Sequence, residues 1–585
     1  MNSTRTITSR FVLLSLGVLL ALSGMGAGLT VAAVQPVPTL VPPTLVPTTD
    51  AGATDALLGE SALARVQSSG EVRVGLLYNA PPFGELNVRG EVSGYDADLA
   101  RALADAWGVK FVPVQVTRQT ALSLLKAGDV DMLLAAQTHR RDLDFEVEFS
   151  HTYVQNSQSM LVRQDDGAAG LGDMANRKVG YVLGSPAGEA ISLWQQRTGI
   201  TLTVTPYLTL DQVVTALVAS EIDGVVEDRV HLLRFTQQPI AKILDEPVAP
   251  EPYAVVARRQ DVNWRNLINK TLQYLTRKGR MQEIQQATLP GTKFLPGLIP
   301  VWAGVGDEAP KPAEFPTDVP YPAQYALPRI QAAGVVRVAG LDDLPAEASE
   351  SQRRWDAVNR AVMEALAARW GVRVEYVPNS AANAADLVAT GQADIAVGVP
   401  LDWALTDRVD LTAPYLLHGE RLMVKKDSDY ETFQNLRGRW VAVFGSEAGA
   451  ADRVNALAES VSSGVRIFTV NNEPNMAQAI LDSNSADVAF GDSIKLLAQM
   501  QANPDVFRLT TRGSNPDVWY SRVYVGLAVP RNDIDLRLLV EYTLQEIGRS
   551  GAWPALLAAV MQPEDMLPAD IWPGVATYLN FSLGG

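Results

Sequence analysis

Cysteine is absent from this 585-residue sequence. Disulfides, thiolate catalysis, cysteine zinc sites and a lipid-modified cysteine near the N-terminus are therefore excluded. Histidine is scarce: His139, His151, His231 and His418 are the full set, and no two stand at metal-ligand spacing. No metal centre and no cofactor are expected. Positive charge is in deficit, with 49 Lys and Arg against 65 Asp and Glu and a net charge of −16. That balance argues against nucleic acid or an anionic membrane surface as partner. No G-x-S-x-G elbow, HExxH helix or phosphate loop occurs, so the chemistry of the common hydrolases and nucleotide enzymes has no carrier.

What is present is a long, ordinary globular composition, 47% apolar and 19% charged. At this length it implies several compact domains rather than one core. Residues 1–35 read as an export segment. Arg5 and Arg10 precede an uncharged run from Phe11 to Val34, which as a helix would measure about 36 Å against roughly 30 Å of hydrocarbon. Gly24, Gly26, Gly28, Ala32 and Ala33 suit a signal-peptidase region. A cleaved signal peptide and a retained membrane anchor both remain open, and either places the bulk of the chain outside the cytoplasm. Residues 36–61, with PTLVP twice in succession, read as a Pro/Thr-rich stalk. A second proline-rich stretch, 291–326, separates two long globular segments, 62–290 and 327–562, and a tail of 563–585 follows.

Those two segments match each other. LARVQSSGEVRVG corresponds to LPRIQAAGVVRVA, WGVKFVPV to WGVRVEYVP, and SEIDGVVED to NSADVAFGD, at offsets of 263–264 residues throughout. Within a unit, short β-branched runs (72–77, 111–114, 131–136) alternate with segments of helical period (98–107, 118–127). A second series starts at Val179. The expected fold is α/β, with two lobes per unit and a largely parallel sheet in each. Ligands of such folds sit at the carboxyl ends of strands, here in a cleft between lobes.

The first unit resembles the family 3 extracellular solute-binding proteins, the amino-acid receptors of ABC importers. The resemblance is carried by APPFGELNVRGEVSGYDADLARALADAWGVKFVPV, LLKAGDVDMLLAAQT, VEFSHTY, GYVLGSPAG and the closing helix LINKTLQYLTRKGRMQEIQ. The second unit is a weaker match, best at DLTAPYLLHGERLMVKK and WVAVFGSEAGAADRV. The resemblance implies two tandem periplasmic-binding-protein-like units of type II, the venus-flytrap architecture, the second degenerate.

It also implies a pocket for a zwitterion. Asp228 matches the aspartate that receives the ligand ammonium, though alone it reads equally as a cap for the following helix. Thr138 matches the hydroxyl residue at the ligand carboxylate. Gly184 and Ser185 open a helix whose N–H groups suit that carboxylate, and Phe83 in the PPF turn matches an apolar wall. The expected arginine position holds Leu143, with Arg140 and Arg141 close by but out of register. In the second unit the APPF turn is gone and Val358–Asn359 replaces Tyr95–Asp96, but Ser446 and Asp492 remain.

The expectation is an extracellular binding protein, not an enzyme, that captures an amino acid or similar small polar solute for an ABC permease. The alternatives are a ligand sensor or scaffold signalling to a membrane partner, and a dehydratase-like periplasmic enzyme.

Overall fold

The computed structural model describes residues 60–567, apart from 293–294, 296, 319–320, 323, 379–382, 482–484 and 512–518. The segment read as leader, nearly all of the stalk and most of the C-terminal tail lie outside the described residues.

In unit 1 a single nine-stranded sheet runs through both lobes. The parallel strands Lys110–Val116, Glu71–Leu77 and Met132–Leu133 form one end. Gly224–Asp228, Lys178–Val182 and Thr203–Tyr207 form the other. Joining them are two antiparallel crossover strands, Val147–Arg163 and Ala249–Arg258. The first, 17 residues long, is buried at nearly every position. A strand covered on both faces shows no alternation of buried and exposed positions, and here many of the buried residues, Asn156 to Ser159 among them, are polar. The ladder between the crossovers shifts register at Tyr253/Ala254 and again at Ala254/Val256. Such irregularities bend and twist a strand pair, and here they fall between the lobes.

Unit 2 repeats this plan as two separate sheets. One lobe orders Arg373–Tyr376, Val335–Ala339, Ile395–Pro400, Val523–Pro530 and Val409–Leu411, and the other Arg466–Val470, Trp440–Phe444, Val488–Asp492, Glu420–Lys425 and Phe507–Leu509. The crossover that is continuous in unit 1 breaks at Gly419, between Leu416–His418 and Glu420–Lys425. Gly419 has φ +150°, and a Cβ there would lie 2.2 Å from the Ser521 carbonyl oxygen, so only glycine fits this turn of the chain.

The duplication reaches single contacts. Trp107 Nε1 donates to Thr271 Oγ1 at 2.8 Å, and Trp370 Nε1 to Thr543 Oγ1 at 2.8 Å. Asp131 pairs with Arg65 and Arg73 as Asp394 pairs with Arg329 and Arg337. Each carboxylate ties the entry helix of its unit to the first strand.

The units meet through the same element in each, helices Val262–Arg277 and Ile534–Arg549. Both are buried over most of their surface, as a helix wedged between two cores must be. Val262, Ile534, Leu538 and Tyr542 form the apolar part of the contact. Around it, Glu148 accepts from Arg265 at 3.0 Å and Arg537 at 2.8 Å, and Arg537 also reaches Glu541 at 3.1 Å. Burial alone would raise the Glu148 carboxyl, but the Arg537 and Arg265 charges hold it below its ordinary range. On the other side, Gln273 Oε1 accepts from Trp302 N and Trp403 Nε1, both at 2.9 Å.

Candidate functional site

The cleft of unit 1 is built on the crossover strands, where the lobes join. Asp228 ends the strand Gly224–Asp228 and is buried. Its Oδ1 accepts from Val230 N at 2.9 Å, capping the next short helix. Its Oδ2 accepts from Asn156 Nδ2 at 2.8 Å and Tyr253 OH at 3.1 Å. One oxygen thus serves as the cap expected from the sequence, and the other faces the hinge. Burial raises its pKa, opposed by the charge of His231 and by these hydrogen bonds.

Two further carboxyls stand beside it. Glu251 lies opposite Asn156 on the neighbouring crossover strand and accepts from Gln158 Nε2 at 3.0 Å. Burial first, and then the Asp228 charge, push its pKa up to about 8. Glu227 lies 3.4 Å from His231 Nδ1. That hydrogen bond is the main cause lifting the His231 pKa to about 9, with burial working against it. The Oδ1 of Asn156, Oε1 of Gln158 and Oε2 of Glu227 are buried with no hydrogen-bond partner among the described residues. The hinge floor is therefore rich in acceptors, the chemistry an ammonium requires.

The other residues singled out from the sequence divide. Phe83 is buried, its ring 5.1 Å edge-on to Tyr253 and 6.4 Å from Tyr95, so it backs the hinge tyrosine. Thr138 makes an isolated antiparallel bridge to Tyr253 and stays partly exposed. Gly184 (φ +85°) and Ser185 follow the strand Lys178–Val182 and precede the helix Ala187–Thr198, with Ser185 Oγ accepting from Ala187 N at 3.3 Å. Leu143 packs with the apolar cluster of Val147, Phe149 and Ala254.

The two arginines part company. Arg140 bonds Asp142 at 2.8 and 3.0 Å and comes within 4.0 Å of Glu189 on the opposite lobe. Arg141 is carried away to unit 2. It donates to Gln545 Oε1 at 2.8 Å, lies over the Tyr542 ring at 4.1 Å and pairs with Asp144 at 3.3 Å. Asp144 in turn accepts from Tyr542 OH at 2.8 Å. The loop that follows Thr138 is thus anchored in the inter-unit contact.

Sequence reasoning missed Asn156, Gln158, Glu251, Tyr253, His231 and Arg118. Burial raises the pKa of Glu251 and of Tyr253, and the charge of Arg118, exposed just past the carboxyl end of Lys110–Val116, opposes part of that rise. The run of polar residues Gln155–Ser159 inside a strand buried at nearly every position was the available signal. His231 Nε2 meets the Pro81 carbonyl at 3.0 Å, so the lobes touch across the cleft mouth.

In unit 2, Asp492 keeps the cap, accepting from Ile494 N at 2.9 Å, and its Oδ2 lies 2.6 Å from His418 Nδ1. His418 holds the place of Asn156, and Val525 that of Tyr253. Ser446 is exposed in the turn after Trp440–Phe444.

Bacterial extracellular solute-binding proteins, family 3, match residues 72–289 and again 337–562. A glutamine-binding protein of Geobacillus stearothermophilus is 26% identical over 218 residues, 36% of this chain and 82% of that protein. A glutamate-binding protein of Corynebacterium glutamicum is 26% identical over 241 residues, 39% of this chain and 80% of that one. Among solved structures, an ancestral arginine-binding protein bound to glutamine is 27% identical with a TM-score of 0.31, covering 37% of this chain and 97% of that chain. With both units matched in sequence, each built as two α/β lobes around a crossover hinge, the chain belongs to the family 3 bacterial extracellular solute-binding proteins, in two tandem copies.

Proposed function

We propose that unit 1 captures an amino acid, or a similar small polar solute, outside the cytoplasm and presents it to an ABC permease in the membrane. The observation that carries this is the hinge floor of Asp228, Asn156 and Tyr253 with its unfilled acceptors. In this reading Asp228 takes the ligand ammonium, and Phe83 keeps Tyr253 in place. Thr138 and the N–H groups at Gly184–Ser185 meet the carboxylate from opposite lobes. Arg140 and Arg118 supply positive charge at the edge, while Arg141 serves the inter-unit contact. Opening and closing is a hinge motion at the register shifts around Tyr253–Ala254. No bond of the solute is broken. The N-terminal segment, by cleavage or by retention, delivers the protein to the outer side, consistent with the family's extracellular placement.

A thermal-shift panel of the twenty amino acids tests this on the purified protein. A ligand at about a hundred times its Kd stabilises the unit that binds it by about 2.7 kcal/mol, which raises the melting temperature by a few degrees. No shift with any amino acid, from protein that melts cooperatively, contradicts the reading.

A further inference from the structure

Unit 2 reads in sequence as a degenerate copy that keeps Ser446 and Asp492, yet its cleft has gained features that unit 1 lacks. The first-lobe helix spans 13 residues in unit 1, Tyr95–Trp107, and 21 in unit 2, Glu350–Trp370. Both end at the matched tryptophan, so the added two turns, 350–357, lie at the N-terminal end. They begin in a capping box, Ser349 accepting from Gln352 N while Gln352 Oε1 accepts from Ser349 N at 2.8 Å. These turns cross to the second lobe. Ser351 N donates to Glu473 Oε2 at 3.1 Å, the Ser351 hydroxyl bonds the same buried carboxylate, and Arg354 reaches Gln501 at 2.5 Å. The lobes of unit 2 are therefore held together by the protein's own groups.

Between them remains a cleft of about 630 Å³. The added turns place Trp355 and Asp356 in its wall, and Asp342, Asp343, His418 and Asp492 line the remainder. Trp355 is partly exposed there, with its ring 5.6 Å from that of His418. Lys495 also lines the cleft, but Glu447 already holds its ammonium at 2.9 Å. Asp356 pairs with Arg360 at 2.7 Å. The wall carries more negative than positive charge, and no arginine lines it among the described residues.

The anion-binding end has been reversed. Unit 1 presents Gly184, Ser185 and Pro186 before its second-lobe helix. In unit 2 the matching turn is Gly445, Ser446 and Glu447, and Glu447 Oε1 also accepts from Asp492 N at 3.3 Å. A ligand carboxylate arriving there would find the Asp492 N–H and the Lys495 ammonium already taken by Glu447. The aromatic face and the carboxylates suit the opposite charge, since an ammonium is attracted to both.

We propose that the cleft of unit 2 is a pre-formed binding site for a small organic cation that carries no carboxylate. Trp355 supplies the π-face, Asp492, positioned by His418, and Asp342 the counter-charge, and Glu447 the discrimination against amino acids. The site needs no hinge closure, because Ser351 and Glu473 already join the lobes. Only the contrast with Gly184–Ser185 rests on the assignment for unit 1.

The test uses two pairs of probes that differ in a carboxylate, choline against glycine betaine and putrescine against ornithine. Calorimetric titration is carried out on the full protein carrying Asp228→Asn, which removes the ammonium acceptor of unit 1. At least one of choline and putrescine should bind in the millimolar range or tighter. It should do so about tenfold or more better than its carboxylated partner. Adding either Asp492→Asn or Trp355→Leu, in protein with an unchanged melting temperature, should weaken that binding about tenfold or more. Binding of neither amine, equal binding of the carboxylated partner, or amine binding that survives both substitutions overturns the proposal.

Discussion

The two hinges show how one plan yields two mechanical elements. In unit 1 the crossover strand Val147–Arg163 is continuous and the lobes share a sheet. Polar side chains on it and on Ala249–Arg258 form the floor of the cleft. In unit 2 the same strand breaks at Gly419, the sheets separate, and the lobes are joined instead by the lengthened helix at Ser351 and Glu473. Under the proposed function, a strand that spans the hinge would couple ligand contact to lobe movement, because Asn156 and Tyr253 lie where the crossover strands bend. In unit 2 the contact between lobes runs through a helix and a buried carboxylate, and in unit 1 through His231 and the Pro81 carbonyl.

The strongest way to break the comparison is to separate the units. Glu148→Ala leaves Arg265 and Arg537 buried without their shared carboxylate. Breaking a buried pair in this way costs about 3–5 kcal/mol. The expected result is a lower melting temperature, with the two units unfolding in separate steps in calorimetry.

The pH dependence of unit 1 sharpens the comparison next. Glu251 has its pKa raised from 4.5 to about 8, so the folded state keeps a proton that the unfolded chain gives up. Its contribution is present in full below pH 4.5 and is lost as pH rises through 8. His231, raised from 6.5 to about 9, adds a loss of the same sign between those values. The ligand-free protein should therefore lose stability in unit 1 from pH 5 to 9. The Glu251 share is roughly 2–4 kcal/mol, at about 1.4 kcal/mol per pH unit with water in the cleft screening part of it. Glu251→Gln should flatten the melting-temperature profile below pH 8, and His231→Gln the part between 6.5 and 9. Unit 2 carries Val523 in place of Glu251, and its own raised carboxyl, Asp533, is lifted by burial only to about 7, so its loss should end near pH 7 while that of unit 1 continues to 9.

Gly419→Ala comes third. Its Cβ has no room against the Ser521 carbonyl and the backbone is in a region glycine favours. A cost of about 1–3 kcal/mol is expected in unit 2 alone, read as a lower midpoint of its own transition in denaturant. The smallest effect is the paired one. Thr271→Val and Thr543→Val each remove the acceptor of one buried tryptophan N–H. Each should cost about 1–2 kcal/mol by urea titration, and by equal amounts. A large inequality would mean that the duplicated cores are not equivalent.

Much of this fold is legible in the sequence, because duplication doubles every signal. The entry helix ending at Gly70 and Gly334, the helix ending at Trp107 and Trp370, and the strand ends at Asp228 and Asp492 recur at near-constant spacing. The hinge floor is far less legible. Asn156, Gln158, Glu251 and Tyr253 lie on buried crossover strands, and their meeting depends on the register between segments about a hundred residues apart. Local pattern does not encode that register. The fate of Arg141 is hidden for a related reason: its position beside Thr138 suits a ligand contact, but Gln545, about four hundred residues on, takes it. The lengthened helix of unit 2 is visible in outline as a helical run. That its added turns cross a cleft is a tertiary fact.

In the proposed function Asp228, at the hinge of unit 1, receives the ammonium of a captured amino acid. Calorimetric titration of the tightest-binding amino acid against the protein and its Asp228→Asn variant tests it most directly. Removing one partner of a buried, hydrogen-bonded charge pair costs about 2–5 kcal/mol, so affinity should fall by about thirtyfold or more while the variant stays folded. Binding left within about threefold of the original, less than 1 kcal/mol, would contradict the claim and place the ammonium elsewhere.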